Sequence, residues 1–348
     1  MPQTTQQLAR HAEYLCQTQS LAQLASILDL PKWHIEKLAE NPHYHTFELP
    51  KKDGSFRLIE DPEESLKDFL QRLNYQLQIV YAFNKTRAAY GFVRSLPDET
   101  EPRNILNNAK RHLNKTWMLN ADFEDFFHDV STTHIRNVFS NPPFEFNDEA
   151  VELLTKLTSY KERLPMGSPT SPVLSNFATR GLDHDLTEMA DNKQWVYTRF
   201  ADDLTFSAMT GFSTDDVKEI RALSTVHGFK FNEEKLKIRS PNAEKQVTGI
   251  VLKAGKVELP DDYLPALEKE IESLRIILEA KYRTGEKESS WVKKFKQHIE
   301  GMLRFVALVL GEDSAHFRYY KLLFNQAQMP PESFGAMSWL AFGYENLI

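Results

Sequence analysis

The chain has 348 residues, of which 41% are hydrophobic and 26% charged, and a formal net charge of −7. This balance fits a folded protein of two or three subdomains and excludes a disordered or low-complexity chain. It argues against a protein that coats nucleic acid with its whole surface, which would be basic, while clusters such as "NNAKRHLNK" (107–115) and "WVKKFKQH" (291–298) leave a local basic groove open. The apolar run "MLRFVALVLG" is too short to span a bilayer. The N-terminus lacks the basic start and apolar core of a secretion signal. The single cysteine, Cys16, has no partner for an internal disulfide. Together these point to a cytoplasmic protein with no membrane association.

Residues 4–40 read as short helices, with apolar residues at helical spacing up to Pro31 and again after it. A small helical extension packed on the next domain is the preferred reading over a helix-turn-helix DNA reader. "FELPKKDGSFRLIEDP" (47–62) alternates around Lys52-Asp53-Gly54-Ser55 and predicts a β-hairpin, followed by a helix over 65–81. "TWMLNADFEDFF" (116–127) predicts a strand running into a turn, and residues 145–161 a helix. "PMGSPTSPVLSNFATRGLDHDL" (165–186) predicts a loop stiffened by three prolines and then a helix. "WVYTRFADDLTFSAM" (195–209) predicts a hairpin with two aspartates at its tight turn. A helix over 213–227, short strands in "QVTGIVLKAGKVEL", and amphipathic helices beyond Asp261 complete the chain. The fold class is therefore α+β, with a central antiparallel sheet, a hairpin arm before it and helices at both ends.

The aspartate pair demands an explanation. Adjacent carboxylates repel, and enclosing them is costly unless a cation or hydrogen bonds compensate. A turn within "FADDLTF" is too apolar on both sides for a free surface loop, so it must be held against a core. Asp122 stands at the end of the earlier predicted strand. If the two strands are sheet neighbours, Asp122, Asp202 and Asp203 converge at one edge. Hard oxygen ligands of this kind suit Mg²⁺, and two such ions stabilise the attacking and leaving oxygens of phosphoryl transfer.

At this point the chain resembles a known family. "FADDLTFS" (200–207) resembles the Y/F-x-D-D turn of reverse transcriptases, and "LNADFEDFF" (119–127) their first catalytic strand. "LPMGSPTSPVLSN" (164–176) resembles the following loop, and "GFKFNEEKLKI" (228–238) the next segment, with Asn232 and Lys235 in an N-x-x-K pattern. "FELPKKDGSFRLIEDP" resembles the fingers hairpin. "NAKRH" (108–112) matches the N-A-x-x-H motif of bacterial retron reverse transcriptases, "VTG" (247–249) their other marker, and "AAYGFV" (88–93) a further stretch.

The resemblance implies a right-hand polymerase. Its parts are an N-terminal helical extension (1–46), fingers (47–115), a palm (116–258, with fingers residues interleaved around 131–165) and a helical thumb (259–348). It implies Asp122, Asp202 and Asp203 as ligands of two Mg²⁺ ions, with Mn²⁺ as a substitute, assisted by the carbonyl of Phe123. Phe127 would wall off the 2′-hydroxyl of a ribonucleotide, with Phe126 as core. Lys51 or Lys52, Arg57, Asp125, Met166 and Gly167 would contact the nucleotide. Met166 replaces the usual glutamine, Phe200 a common tyrosine, and "HDV" (128–130) a common "PSI". Lys235 would act as general acid to pyrophosphate or form a structural salt bridge. Asn108 and His112 would contact structured RNA or form a local cap. Val247, Thr248 and Gly249 would lie near the primer grip, with Gly249 permitting close backbone approach. Lys293 and Lys294 would meet phosphates of an RNA–DNA hybrid or simply face solvent.

The implied activity is synthesis of DNA on a cognate structured non-coding RNA from dNTPs, giving a branched RNA–DNA molecule. The implied setting is anti-phage defence with a separate effector protein. The competing readings are a defence or abortive-infection reverse transcriptase without a branched product, and a catalytically silent RNA-binding module.

Overall fold

The computed structural model describes residues 3–50, 54, 56–285 and 287–329. They fall into two compact units, Met1–Ala243 and Glu244–Ile348.

The first unit opens with three short helices, α1 (Thr5–Cys16), α2 (Leu21–Ile27) and α3 (Lys32–Glu40). Thr4 with Gln7 and Ser20 with Gln23 close capping boxes on the first two, satisfying amides that the helix itself leaves unpaired. Leu8, Leu15, Leu21, Leu24 and Ile35 are buried, and α1 packs along α4 (Glu64–Asn84). This is a packed extension, as the sequence suggested. Helix α4 buries Leu66, Phe69, Leu70, Leu73, Leu77 and Val80, the repeat expected of a core-facing helix. It runs past both expected ends.

Before α4, strands β1 (Tyr44–Pro50) and β2 (Phe56–Pro62) pair antiparallel, from Tyr44 opposite Pro62 to Pro50 opposite Phe56. The expected hairpin is thus present. Lys51 and Lys52 lie outside the described residues.

The chain then builds α5 (Ile105–Lys110), β3 (Trp117–Asp122), α6 (Phe126–Asp129), α7 (Thr132–Ser140), α8 (Asp148–Thr158), α9 (Ser171–Ala178) and α10 (Arg180–Asn192). Strands β4 (Val196–Phe200) and β5 (Asp203–Ala208), helix α11 (Thr214–Val226) and β6 (Lys237–Arg239) follow. The sheet is antiparallel in the order β4-β5-β3-β6. Every residue of β5 after Asp203 is buried, Thr205 and Ser207 included. Both faces of the sheet are therefore covered near β5, which explains why the segment reads as strand without a solvent-facing alternation.

In the second unit β7 (Lys245–Val247), β8 (Ile250–Lys253) and β9 (Lys256–Glu258) form a three-stranded antiparallel sheet. Helices α12 (Tyr263–Thr284), α13 (Ser290–Leu310) and α14 (Ala315–Ala327) follow and bury Leu267, Ile271, Leu274, Val292, Ile299, Leu303 and Val306. Among the described residues no helix is long and apolar enough to cross a membrane.

Candidate active site

Three carboxylates meet at one end of the central sheet. Asp122 is the last residue of β3 and stands directly opposite Asp203, the first of β5. Asp202 occupies the turn between β4 and β5, after Ala201 in the left-handed region (φ 57°). The turn is locked to β3 by the Phe123 amide, which donates to the Asp202 carbonyl at 3.1 Å. On the other side the Asn232 amide donates to the Asp122 carbonyl at 2.8 Å. The ring of Phe123 is buried among Phe126, Phe229 and Phe231 at 5.1–5.8 Å. Phe126 is core, as expected, at 4% exposed.

The cluster is electrostatically crowded. Enclosure by the chain and repulsion from Asp122 raise the Asp202 pKa. Enclosure, a hydrogen bond with Asp122 and repulsion from Asp202 push Asp203 up to about 8. Lys235 supplies the counter-charge, its ammonium paired with Asp122 Oδ2. That hydrogen bond, and then the three carboxylates together, raise the lysine pKa.

Among the described residues no set of three or more His, Cys, Asp or Glu side chains already stands in metal-coordinating geometry. The Lys235 ammonium takes an oxygen that a cation would need. The donor chemistry nevertheless suits a hard divalent ion: three carboxylates at one sheet end carry more negative charge than one lysine offsets.

The other predicted residues are placed as follows. Phe127 is half-buried, its ring 5.5 Å from Phe126 and 6.1 Å from Phe92. Arg57 is exposed on β2, opposite Leu49. Asp125 is exposed, its Oδ2 2.9 Å from His128 Nδ1, and His128 Nε2 lies 3.4 Å from Glu60. In the "HDV" departure, His128 thus stands between Asp125 and Glu60 of the arm, hydrogen-bonded to Asp125 but not to Glu60. Met166 and Gly167 belong to a loop fastened to β2 by main-chain bonds. The Glu60 amide donates to the Met166 carbonyl at 2.7 Å, and Arg163 grips the Glu60 carboxylate with both guanidinium arms at 2.8 and 3.0 Å. Because this latch uses the backbone of Met166, it does not depend on the side chain there. A Cβ at Gly167 would sit 2.9 Å from the Glu60 carbonyl, so glycine is required for the close approach.

Asn108 and His112 are corrected by the structure. Both are 1% exposed, which leaves neither side chain a face for RNA. His112 bridges two strands of the sheet, with Nε2 2.7 Å from Thr198 Oγ1 and Nδ1 2.7 Å from Ser207 Oγ. Burial, with a smaller contribution from Arg111 and Lys115, pushes this imidazole down to about 3. Between that value and the ordinary 6.5 the unfolded chain binds a proton that the folded chain refuses. Stability is therefore expected to be full above 6.5 and to fall as pH drops below it, by up to about 1.4 kcal/mol per pH unit. Urea unfolding of the parent and of His112→Gln across this range checks it: the variant should lose the slope.

Gly249 lies in a tight turn. Thr248 (φ 47°) and Gly249 (φ 83°) are the central pair of a two-residue turn between Val247 and Ile250. A Cβ on Gly249 would meet nothing within 4 Å. The turn's dihedrals by themselves favour glycine there. Val247 is buried within the second unit. Lys293 and Lys294 are exposed on α13, where Trp291, Phe295 and His298 stack in series, at 5.3 Å and then 6.5 Å with near-parallel planes.

One group escaped sequence reasoning. Arg199 and Asp183 are fully buried and joined by two bonds of 2.8 Å, with Tyr197 and Thr86 also donating to Asp183. Arg199 further donates to the Ala201 carbonyl at 3.0 Å and to Asn176 Oδ1 at 3.2 Å. It therefore braces the turn that carries Asp202. The available signal was an arginine inside an otherwise apolar strand, "VYTRF".

A family model for reverse transcriptase (RNA-dependent DNA polymerase) matches residues 49–264. Retron Ec86 reverse transcriptase of Escherichia coli is 34% identical over 156 residues, covering 44% of this chain and 48% of that protein. Retron Mx65 reverse transcriptase of Myxococcus xanthus is 28% identical over 294 residues, covering 78% of this chain and 62% of that protein. Retron Mx162 reverse transcriptase of the same organism is 28% identical over 250 residues, covering 64% and 50%. The chain thus spans roughly half to three-fifths of the length of these relatives.

Proposed function

The chain belongs to the reverse transcriptase (RNA-dependent DNA polymerase) family, and from that premise we propose that it is the RNA-directed DNA polymerase of a retron. It copies a cognate structured non-coding RNA into a branched RNA–DNA molecule, in the cytoplasm, and serves anti-phage defence with a separate effector protein. The observation that carries the polymerase reading is the register of the sheet, which sets Asp122 opposite Asp203 with Asp202 on the adjoining turn. The retron reading is supported by likeness to proteins of that name.

In this reading Asp122, Asp202 and Asp203 would hold two Mg²⁺ ions, for which Mn²⁺ would substitute, with the Phe123 carbonyl as a further oxygen. Divalent ions held there would supply Lewis-acid chemistry, lowering the pKa of the primer hydroxyl and offsetting charge on the transferring phosphate. Lys235, whose Nζ is paired with Asp122 in the structure, would donate a proton from Nζ to the leaving pyrophosphate. Arg57, with Lys51 or Lys52, grips the triphosphate. Asp125, Met166 and Gly167 border the nucleotide. The apolar ring of Phe127 faces the sugar and leaves a 2′-hydroxyl without a hydrogen-bond partner. In the second unit, Lys293 and Lys294 meet phosphates of the RNA–DNA hybrid, and residues 247–249 support the primer strand.

The test is to purify the protein expressed with its neighbouring locus and extract the bound nucleic acid. A discrete DNA that shortens with RNase, and is released as linear DNA by debranching enzyme, is the expected result. RNA without DNA, or heterogeneous DNA with no RNA attached, overturns the retron reading.

A further inference from the structure

We infer that Phe92 is a second aromatic wall of the nucleotide pocket, set against Phe127 and positioned by Asn176, and that it shares in excluding the ribose 2′-hydroxyl. This rests on the reading of Phe127 proposed above.

Segment 88–92 runs beside the catalytic turn. The Arg199 amide donates to the Ala88 carbonyl and the Tyr90 amide to the Arg199 carbonyl, each at 2.8 Å. Gly91 then lies so close to the turn that a Cβ there would sit 2.6 Å from the Ala201 nitrogen. Phe92 follows directly, within one Cα–Cα step of that contact. Its backbone is held at φ 57°, a region that bulky side chains rarely adopt. The holding group is Asn176, fully buried, whose Nδ2 donates to the Gly91 carbonyl at 2.9 Å and reaches the Phe92 carbonyl at 3.5 Å. Its Oδ1 accepts from Arg199, so the arginine that braces Ala201 also braces this segment.

The strain does not serve burial, because Phe92 remains 39% exposed. What it achieves is placement: the ring ends 6.1 Å from that of Phe127, the two planes at 39°. A lone ring beside a pocket can turn about χ1 and admit a hydroxyl. A second ring braced against it removes that freedom and adds apolar surface on the same side. Strained backbone held in place by surrounding structure beside a reacting centre is a signature of pre-organisation.

The decisive variant is Phe92→Gly. Glycine tolerates the left-handed backbone, so relief of strain offsets part of the lost ring burial and the protein should remain folded at the assay temperature, as a melting curve checks. The ratio of kcat/KM for dATP over ATP on an RNA template is expected to fall at least about tenfold, the order that one apolar pocket contact provides. Phe92→Leu should retain most of the discrimination. Phe127→Ala should lose more, and the double variant less than the product of the two, because the rings share one contact. Asn176→Ala should lower discrimination in the same direction; a merely structural asparagine would lower the melting temperature and leave the ratio unchanged. Unchanged discrimination in Phe92→Gly alongside a loss in Phe127→Ala overturns the inference alone. Unchanged discrimination in both overturns the gate itself. Absence of any templated incorporation by the parent overturns the proposed polymerase.

Discussion

Asp202→Asn is expected to reduce RNA-templated nucleotide incorporation at least about a thousandfold, equivalent to about 4 kcal/mol of transition-state stabilisation. The expectation follows from where Asp202 sits. Its carbonyl is held by the Phe123 amide, its turn is braced by Arg199, and its carboxylate shares one sheet end with Asp122 and Asp203. The substitution keeps the shape and the main-chain bonds but removes a charge from the cluster. A second readout separates loss of charge from loss of fold. Without divalent ions the three carboxylates repel, and Lys235 compensates for one of them. Asp202→Asn should therefore melt at a higher temperature than the parent in chelator, and gain less from added Mg²⁺. Incorporation within tenfold of the parent at saturating Mg²⁺ would show that the cluster is not the metal platform.

Arg199→Met is expected to destabilise the first unit by about 3–5 kcal/mol, read as a shift in the urea midpoint. Arg199 and Asp183 are both fully buried, and the arginine makes four hydrogen bonds through its guanidinium. Methionine fills much of the volume but leaves Asp183 as a buried carboxylate with Thr86 and Tyr197 as its neutral donors. The cost is that of an uncompensated charge, so a second substitution that removes it should recover much of the loss. Arg199→Met with Asp183→Leu is expected to be more stable than Arg199→Met alone. It should still be impaired in incorporation, because the Ala201 and Asn176 contacts are gone. If the single variant unfolds at the parent's midpoint, the ion pair carries no stability.

The sequence by itself determined which segments pair at short range and where the chemistry resides. Turn residues flanked by β-formers specified the hairpins at 44–62 and 196–208, because strand alternation and tight-turn dihedrals are properties of a few consecutive residues. The aspartate pair was legible for the same reason: charge within an apolar turn is anomalous at any register. Spacing along a helix, however, says which side chains share a face, not which way that face points. The resemblance put Asn108 and His112 against RNA, with a local cap as the alternative; tertiary packing buries both and sets His112 between Thr198 and Ser207. Gly249 is explained locally, by the left-handed dihedrals of its own turn.

Only the tertiary structure decided the supporting network. Glu60 meets Arg163, Lys235 meets Asp122, and Asn176 meets both Arg199 and Gly91 across 23 to 113 positions of chain. No local pattern encodes such pairs. A buried charge or amide takes whatever partner the fold brings within hydrogen-bond reach, and the cost of leaving it unpaired, rather than any preference of neighbouring residues, selects that partner.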